Sequence, residues 1–145
     1  MPRLSIIMVR IALIHLAVGA TIGGMLLADK GMHGWTWIWM WRPAHIHMML
    51  TGWTVQFAWG VAIWILPRLD ATGSRGALWS AWLGCMAING GVALTALYAP
   101  LASVIDHLEW MLPVAAVLYV IAALTFVHHA WRRVRPFGVV PARMR

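Results

Sequence analysis

The sequence predicts an all-α integral membrane protein, built as one bundle of four helices with both termini in the cytoplasm. Of its 145 residues, 62% are hydrophobic and 10% are charged, which leaves too few polar side chains to cover a soluble domain of this size. The apolar residues fall into four runs, each long enough for a bilayer core that takes about 20 residues of helix. Arginines cluster at those ends of the runs that lie on one side of the membrane, which predicts the orientation of the bundle.

The four predicted spans cover about residues 5–28, 44–66, 77–99 and 104–130. They form a single transmembrane domain over residues 1–135, and a basic tail follows at 136–145. The first run is longer than the apolar part of a signal peptide, so we interpret it as a retained helix. The connections are short, so neighbouring helices are antiparallel.

The charges orient the bundle. One side collects the arginines at 3, 10, 68, 75 and in the tail, and the other side has Lys30 and Arg42 beside the acidic residues. The positive-inside rule therefore predicts cytoplasmic termini, and it explains the formal charge of +7 without a nucleic-acid partner. The single cysteine, Cys85, excludes an intrachain disulfide and a cysteine-based zinc site.

Alternating tryptophans lead into the second span on the outer side, from Trp35 to Trp41. Tryptophan concentrates at the headgroup layer of a membrane, so an aromatic belt is the first interpretation. An aromatic face that docks on a partner subunit is the alternative.

Ionisable side chains near a membrane are costly and often functional, which directs attention to the histidines. His33, His45, His47 and His107 are predicted near the outer surface, and His15 lies midway along the first span. We expect His15 to be a buried histidine with its hydrogen bonds satisfied. His128 and His129 are predicted at the inner surface, exposed beside the arginines.

His45 is the best ligand candidate, because Gly52, Gln56 and Gly60 recur on its helix face. A histidine above two glycines leaves room for a flat macrocycle. The same glycines could instead allow close helix packing.

His107 is predicted to open the fourth helix at the depth of His45, so the two imidazoles could hold a heme between them. Alternatively, His45, His47, His107 and Glu109 could bind copper, zinc or iron. His47 could also be a solvated interfacial residue. We expect Asp106 to cap the fourth helix and Pro113 to kink it.

The second span resembles the second helix of the catalytic subunit of heme-copper oxidases, the superfamily of cytochrome oxidases and nitric oxide reductases. The matching residues are Ala44-His45, the glycines at 52 and 60, and Ile65-Leu66-Pro67. The whole chain looks like the first four helices of that subunit, as a short oxidase-like bacterial membrane protein. His129 to Val134 is similar to the last helix end of such proteins.

The resemblance implies that His45 is an axial ligand of heme b, and it places the chain in a bacterial cytoplasmic membrane. The family's later helices have no counterpart, so the second ligand would come from His107, His47, a partner chain or another copy. Oxygen reduction by this chain alone is not expected.

The function expected from these observations is that of a b-type heme subunit in electron transfer within a respiratory or related complex. Gly52 and Gly60 would make room for the porphyrin, and Arg42 would pair with a propionate. Two alternatives remain at this point. One is a cofactor-free accessory subunit of a respiratory or photosynthetic assembly. The other is a homo-oligomer that binds copper or zinc at the outer histidines.

Overall fold

The computed structural model describes residues 1–69 and 73–134, and its secondary structure there is helical. Four helices are long and apolar enough to cross a membrane: helix 1 (Arg3–Met32), helix 2 (Thr36–Ile65), helix 3 (Leu78–Ala102) and helix 4 (Met111–Arg133). The prediction of an all-α chain with four membrane-spanning helices is confirmed. The predicted tail at 136–145 lies outside the described residues.

Neighbouring helices run antiparallel, so each end of the bundle gathers specific residues. We call the end that holds the turn Thr36–Trp41 the Trp end, and the end that holds Arg133 the Arg end. Every helix exposes large apolar side chains on its outside, for example Leu27, Leu50, Leu97 and Leu124. Such a surface suits lipid rather than water.

Helix 2 changes its winding along its length. A 3-10 turn (Thr36–Trp41) leads into one α-helical segment (Arg42–His47), a π-helical segment (Met48–Val55) and a final α-helical segment (Gln56–Ile65). π-helical turns inside α-helices are rare and often mark functional sites. This one begins directly after His47.

Helices 1 and 2 approach closely through small and polar residues. Ser5 donates a hydrogen bond of 2.6 Å to the carbonyl oxygen of Gly60. The Gln56 side-chain amide donates to the carbonyl oxygen of Met8 at 3.2 Å. Both side chains are buried, and such interhelical bonds hold helices together where lipid removes the hydrophobic driving force.

Helix 3 packs along helix 4 through a face of small residues. A Cβ atom added to Gly84 would lie 2.9 Å from the Thr125 hydroxyl, and one added to Gly91 would lie 2.7 Å from the Tyr119 ring. Between helices 2 and 4, Trp59 stacks on Phe126 with their ring centroids 4.4 Å apart. Helix 2 therefore contacts both helix 1 and helix 4.

Helix 4 begins later than the sequence predicted. Its first residue is Met111, and Asp106 lies in the preceding turn with no side-chain cap on the helix. The expectation that Asp106 caps this helix is wrong. Pro113 lies in the first helical turn, where its missing N–H has no intrahelical partner to lose. It therefore does not interrupt the helix, contrary to the expected kink.

The Arg end is held by Arg133, which is only 1% exposed. Its guanidinium donates to the carbonyl oxygens at the end of helix 2, those of Ile63 (3.0 Å), Leu66 (2.7 Å) and Pro67 (3.1 Å). These are carbonyls that a helix end leaves without a partner. The cation also suits the negative end of the helix dipole.

His129 joins this cluster to the start of helix 3. Arg133 donates to its Nε2 at 2.8 Å, and its Nδ1 lies 3.2 Å from the carbonyl oxygen of Ala77. Arginine can only donate and a carbonyl can only accept, so His129 is neutral with its proton on Nδ1. One side chain pair thus links the ends of helices 2, 3 and 4.

We expect Arg133→Met to lower the free energy of unfolding by about 3 kcal/mol or more, because it leaves buried carbonyls and an imidazole without partners. Thermal unfolding in detergent micelles measures the change. Arg3→Met is the control, since Arg3 is exposed at the same end. Equal losses of stability in the two variants would show that the cluster does not hold the helix ends.

Candidate functional site

The Trp end is organised by a buried carboxylate. Asp29, near the end of helix 1, accepts a hydrogen bond from the backbone N–H of Trp35 (2.6 Å) and one from the indole N–H of Trp39 (2.8 Å). The Lys30 ammonium lies 5.9 Å from the Trp39 ring centroid, within reach of a cation–π interaction. These contacts fix the turn that leads into helix 2.

His45 lies in the first α-helical segment of helix 2 (Arg42–His47) and packs against helix 1. Its Nδ1 is 2.8 Å from the carbonyl oxygen of Gly19. Because a carbonyl only accepts, Nδ1 has a proton, and in the neutral ring the lone pair is on Nε2. Nε2 has no hydrogen-bond partner among the described residues and is not sealed from the surface. This is the state that histidine adopts as a metal ligand, with its other nitrogen oriented by a backbone carbonyl.

Two glycines of helix 1 make this position possible. Gly19 supplies the carbonyl, and Gly23 lies directly under the ring: a Cβ atom there would be 2.5 Å from Cε1 of His45. Neither glycine was predicted from the sequence. Their four-residue spacing is the small-residue pattern of close helix pairs in membranes, and it could have revealed them.

A groove of about 360 Å³ lies beside His45 at the Trp end. Its apolar walls include Leu26, Leu27 and Ile46, and its polar lining comes from Lys30 and Arg42. Trp39, held by Asp29, closes one side. The groove joins one imidazole and two cations to an apolar wall, which is a lining that suits an anionic, largely apolar ligand.

The face predicted for His45 is present, but its glycines have another role. His45, Gly52, Gln56 and Gly60 all contact helix 1. A Cβ atom on Gly52 would lie 2.6 Å from the His15 ring, and one on Gly60 would lie 3.1 Å from the Met8 side chain. Helix 1 therefore fills the space that was expected for a porphyrin at these two glycines. Gly52 and Gly60 therefore fit the alternative interpretation, in which the glycines allow two helices to pack closely.

His47 points away from His45, toward helix 4. Its Nδ1 lies 3.1 Å from the hydroxyl of Tyr119, and that hydroxyl lies 3.0 Å from the hydroxyl of Thr95 on helix 3. The His47 and Tyr119 rings are parallel, at 5.7 Å between centroids. His47 thus joins three helices in one hydrogen-bonded chain, rather than lying free at the interface.

His107 and Glu109 lie in the turn before helix 4, and both are exposed. They line a separate groove of about 280 Å³ with Asp106, and His45 is not part of its lining. His107 has a positive φ of 64° and does not open the helix. Within residues 1–69 and 73–134, no three His, Cys, Asp or Glu side chains lie together in a group that could hold a metal ion. The four-residue metal set stays a prediction.

The remaining histidines divide by burial. His128 is exposed, as expected, with its ring centroid 6.0 Å from that of Trp79. His129 is 3% exposed, so the expectation that it lies on the surface is wrong. The charge of Arg133 suggested a position at the surface for both residues. Arg133 is itself buried, and it is bonded to His129. His15 is half-buried against Gly52, and its Nδ1 has no well-aligned hydrogen bond.

No family model, curated protein or solved structure matches this chain.

We expect Gly23→Ala to displace the His45 ring, because the new methyl group would overlap it, and to lower the free energy of unfolding by about 1–3 kcal/mol. Gly24→Ala is the matched control. Nothing lies within 4 Å of a Cβ atom at Gly24, so that variant should be neutral or more stable by up to about 1 kcal/mol. Thermal unfolding of the two variants in the same detergent separates these outcomes. A destabilised Gly24 variant with an unaffected Gly23 variant would contradict the described packing.

A second pair of variants tests the packing of Gly52 on His15. We expect Gly52→Ala to destabilise the protein by about 1–3 kcal/mol, because the methyl group would collide with the imidazole. In the background of His15→Ala the same change should cost much less, since the collision is gone. The measurement is a double-mutant cycle of unfolding free energies. Additive effects would show that the two residues do not touch.

Proposed function

We propose that the protein is a b-type heme-binding membrane subunit that takes part in electron transfer, with His45 as an axial ligand. The observation that supports this best is the state of the His45 ring. Its Nδ1 is fixed on the Gly19 carbonyl, and its Nε2 remains free beside a groove. An imidazole so oriented has its ligand lone pair already directed, which lowers the cost of binding iron.

The chemistry of the groove residues suits heme b. Arg42 and Lys30 line the rim at the Trp end, where two cations would pair with the propionates. Leu26, Leu27 and Ile46 offer apolar contact to the macrocycle. Bound heme would supply reversible one-electron chemistry, while this chain supplies a ligand, charge compensation and a low-dielectric surface.

The role of the glycines differs from the expectation. Gly52 and Gly60 face helix 1, so we assign them to holding helices 1 and 2 together and not to the heme. We assign to Gly23 the role expected of Gly52 and Gly60, that of a small residue next to the ligand. Its lack of a side chain leaves space for the His45 ring.

The resemblance of helix 2 to the oxidase catalytic subunit agrees with this proposal, since the histidine in question is His45 in both arguments. We propose further that the Arg end lies in the cytoplasm of a bacterial cell and the Trp end on the outer side. The positive-inside rule supports this, because Arg3, Arg68 and Arg133 lie at or near the Arg end. The subunit would then pass electrons within a respiratory or related membrane complex, and not catalyse oxygen reduction alone.

An accessory subunit without a cofactor is the second candidate. The exposed indoles of Trp35 and Trp37 favour it, because aromatic side chains are common in protein interfaces. Copper or zinc at the outer histidines has less support, since His47 and His107 lie in different surroundings from His45.

We expect the purified protein to show a Soret band and a sharp α band after dithionite reduction, and His45→Ala to abolish both bands. His33→Asn is the control, because His33 caps helix 1 in the left-handed conformation that Asn tolerates. The bands should remain in that variant. Absorption spectroscopy of samples reconstituted with hemin measures the outcome.

Bands retained in His45→Ala would move the ligand to another residue. A wild-type protein without bands, purified together with larger subunits, would favour the accessory role. Metal analysis of the same samples tests for copper and zinc.

A further inference from the structure

The groove at His45 offers one axial ligand and one open side. Its lining contains one histidine and neither methionine nor cysteine. Lys30 is the only other lining side chain with a nitrogen that can lose its proton, and its ammonium lies over the Trp39 ring. A heme seated against His45 would therefore have one face without a strong ligand from this groove.

The other histidines of the chain do not supply that ligand. His47 is bonded to Tyr119 on the side of helix 4. His107 lines a separate groove, and His129 is committed to Arg133 at the opposite end of the bundle. His15, His33 and His128 do not line the groove either, so we look for the missing ligand outside this fold.

The groove at His45 also has apolar walls that are exposed at the surface of the bundle. Leu27 is 70% exposed and Ile46 is 45% exposed, and both line it. A heme held here would expose its second face beside these side chains. In a membrane these side chains contact lipid, and a protein that replaced the lipid there would both cover the macrocycle and complete the coordination.

We propose that a second copy of this chain completes the site, so that the His45 residues of two copies bind one heme iron from opposite sides. The inference rests on the proposed function. In a two-fold symmetric dimer the same patch meets itself, so each copy contributes the same residue. A single histidine on an open groove is then sufficient for a bis-histidine site, because symmetry supplies the second one.

The charges of the groove agree with a dimer that forms around the heme. Two copies bring together two Arg42 and two Lys30 side chains, which repel one another in a medium of low dielectric. The two propionates of one heme would offset that repulsion. We therefore expect dimerisation to depend on heme, with the heme-free protein predominantly monomeric.

The experiment uses the full chain in detergent micelles, titrated with hemin. We measure the mass of the protein by light scattering, the number of hemes per chain and the absorption spectrum. The proposal expects saturation at one heme for two chains, a dimer at saturation and a six-coordinate low-spin spectrum. A six-coordinate heme on a monomer would overturn it, and so would saturation at one heme per chain.

Three variants sharpen the test. Leu27→Asn should weaken the heme-dependent dimer at least tenfold, whereas Leu97→Asn should not. Leu97 is the matched control, an exposed leucine near the Trp end of helix 3. Lys30→Arg keeps the cation for the propionate but cannot bind iron, so the low-spin spectrum should remain, and its loss would assign the second ligand to Lys30 and overturn the proposal. Equal effects of the two leucine variants would also contradict it.

Mixed dimers give an independent reading. Wild-type chain and His45→Ala chain, carrying different affinity tags, are expressed together and the doubly tagged species is isolated. Its heme should be five-coordinate and high-spin, or the doubly tagged species should be scarce, since dimerisation is expected to depend on heme. A six-coordinate low-spin heme in that species would overturn the proposal.

These outcomes separate this inference from the proposed function. A protein that binds no heme would refute both. A protein that binds heme through His45 as a monomer would refute the dimer alone.

Discussion

The hydrogen bond from Nδ1 of His45 to the carbonyl oxygen of Gly19 is the contact on which the proposed site depends. It is made at 2.8 Å, and it fixes the orientation of the His45 ring and places a proton on Nδ1, which the proposed ligand role requires. It also couples helix 2 to helix 1 at the Trp end. Without Gly23 the ring could not reach this position, because a side chain there would occupy the same space.

Both ends of helix 2 are held by polar contacts with other helices. At the Trp end, His45 and His47 reach helices 1 and 4 in opposite directions. At the Arg end, Arg133 of the last turn binds the free carbonyls of helix 2. Lipid offers no hydrogen bonds, so a buried helix end or imidazole must find its partners inside the protein. This constraint explains why His45 and Arg133 are bonded to backbone carbonyls of a neighbouring helix.

Much of the fold could be predicted from the sequence, because hydrophobic run length and bilayer thickness determine the number of spans. The helical period also placed His45, Gly52, Gln56 and Gly60 on one face, and all four contact helix 1. The helical period does not determine which neighbour a helix face contacts. The two lower glycines therefore suited either a macrocycle or a neighbouring helix, and the structure places helix 1 there.

Other features depend on contacts that no local pattern encodes. His107 was placed at the start of helix 4 by counting apolar residues, yet the helix begins at Met111 and leaves His107 in an exposed turn. The sequence pattern predicts a solvated basic helix end at Arg133 and His129. They are buried because the last turn of helix 4 folds over the carbonyls of helix 2, a pairing between residues far apart in the chain.

The most direct test of the central claim is the protonation pattern of the His45 ring. Nitrogen NMR of protein labelled with ¹⁵N-histidine, assigned by comparison with the His45→Ala variant, reports which ring nitrogen has the proton. We expect a proton on Nδ1 and a bare Nε2 in the heme-free protein, with the Nε2 signal lost when hemin is added. A proton on Nε2, or a His45 spectrum that hemin leaves unchanged, would contradict it.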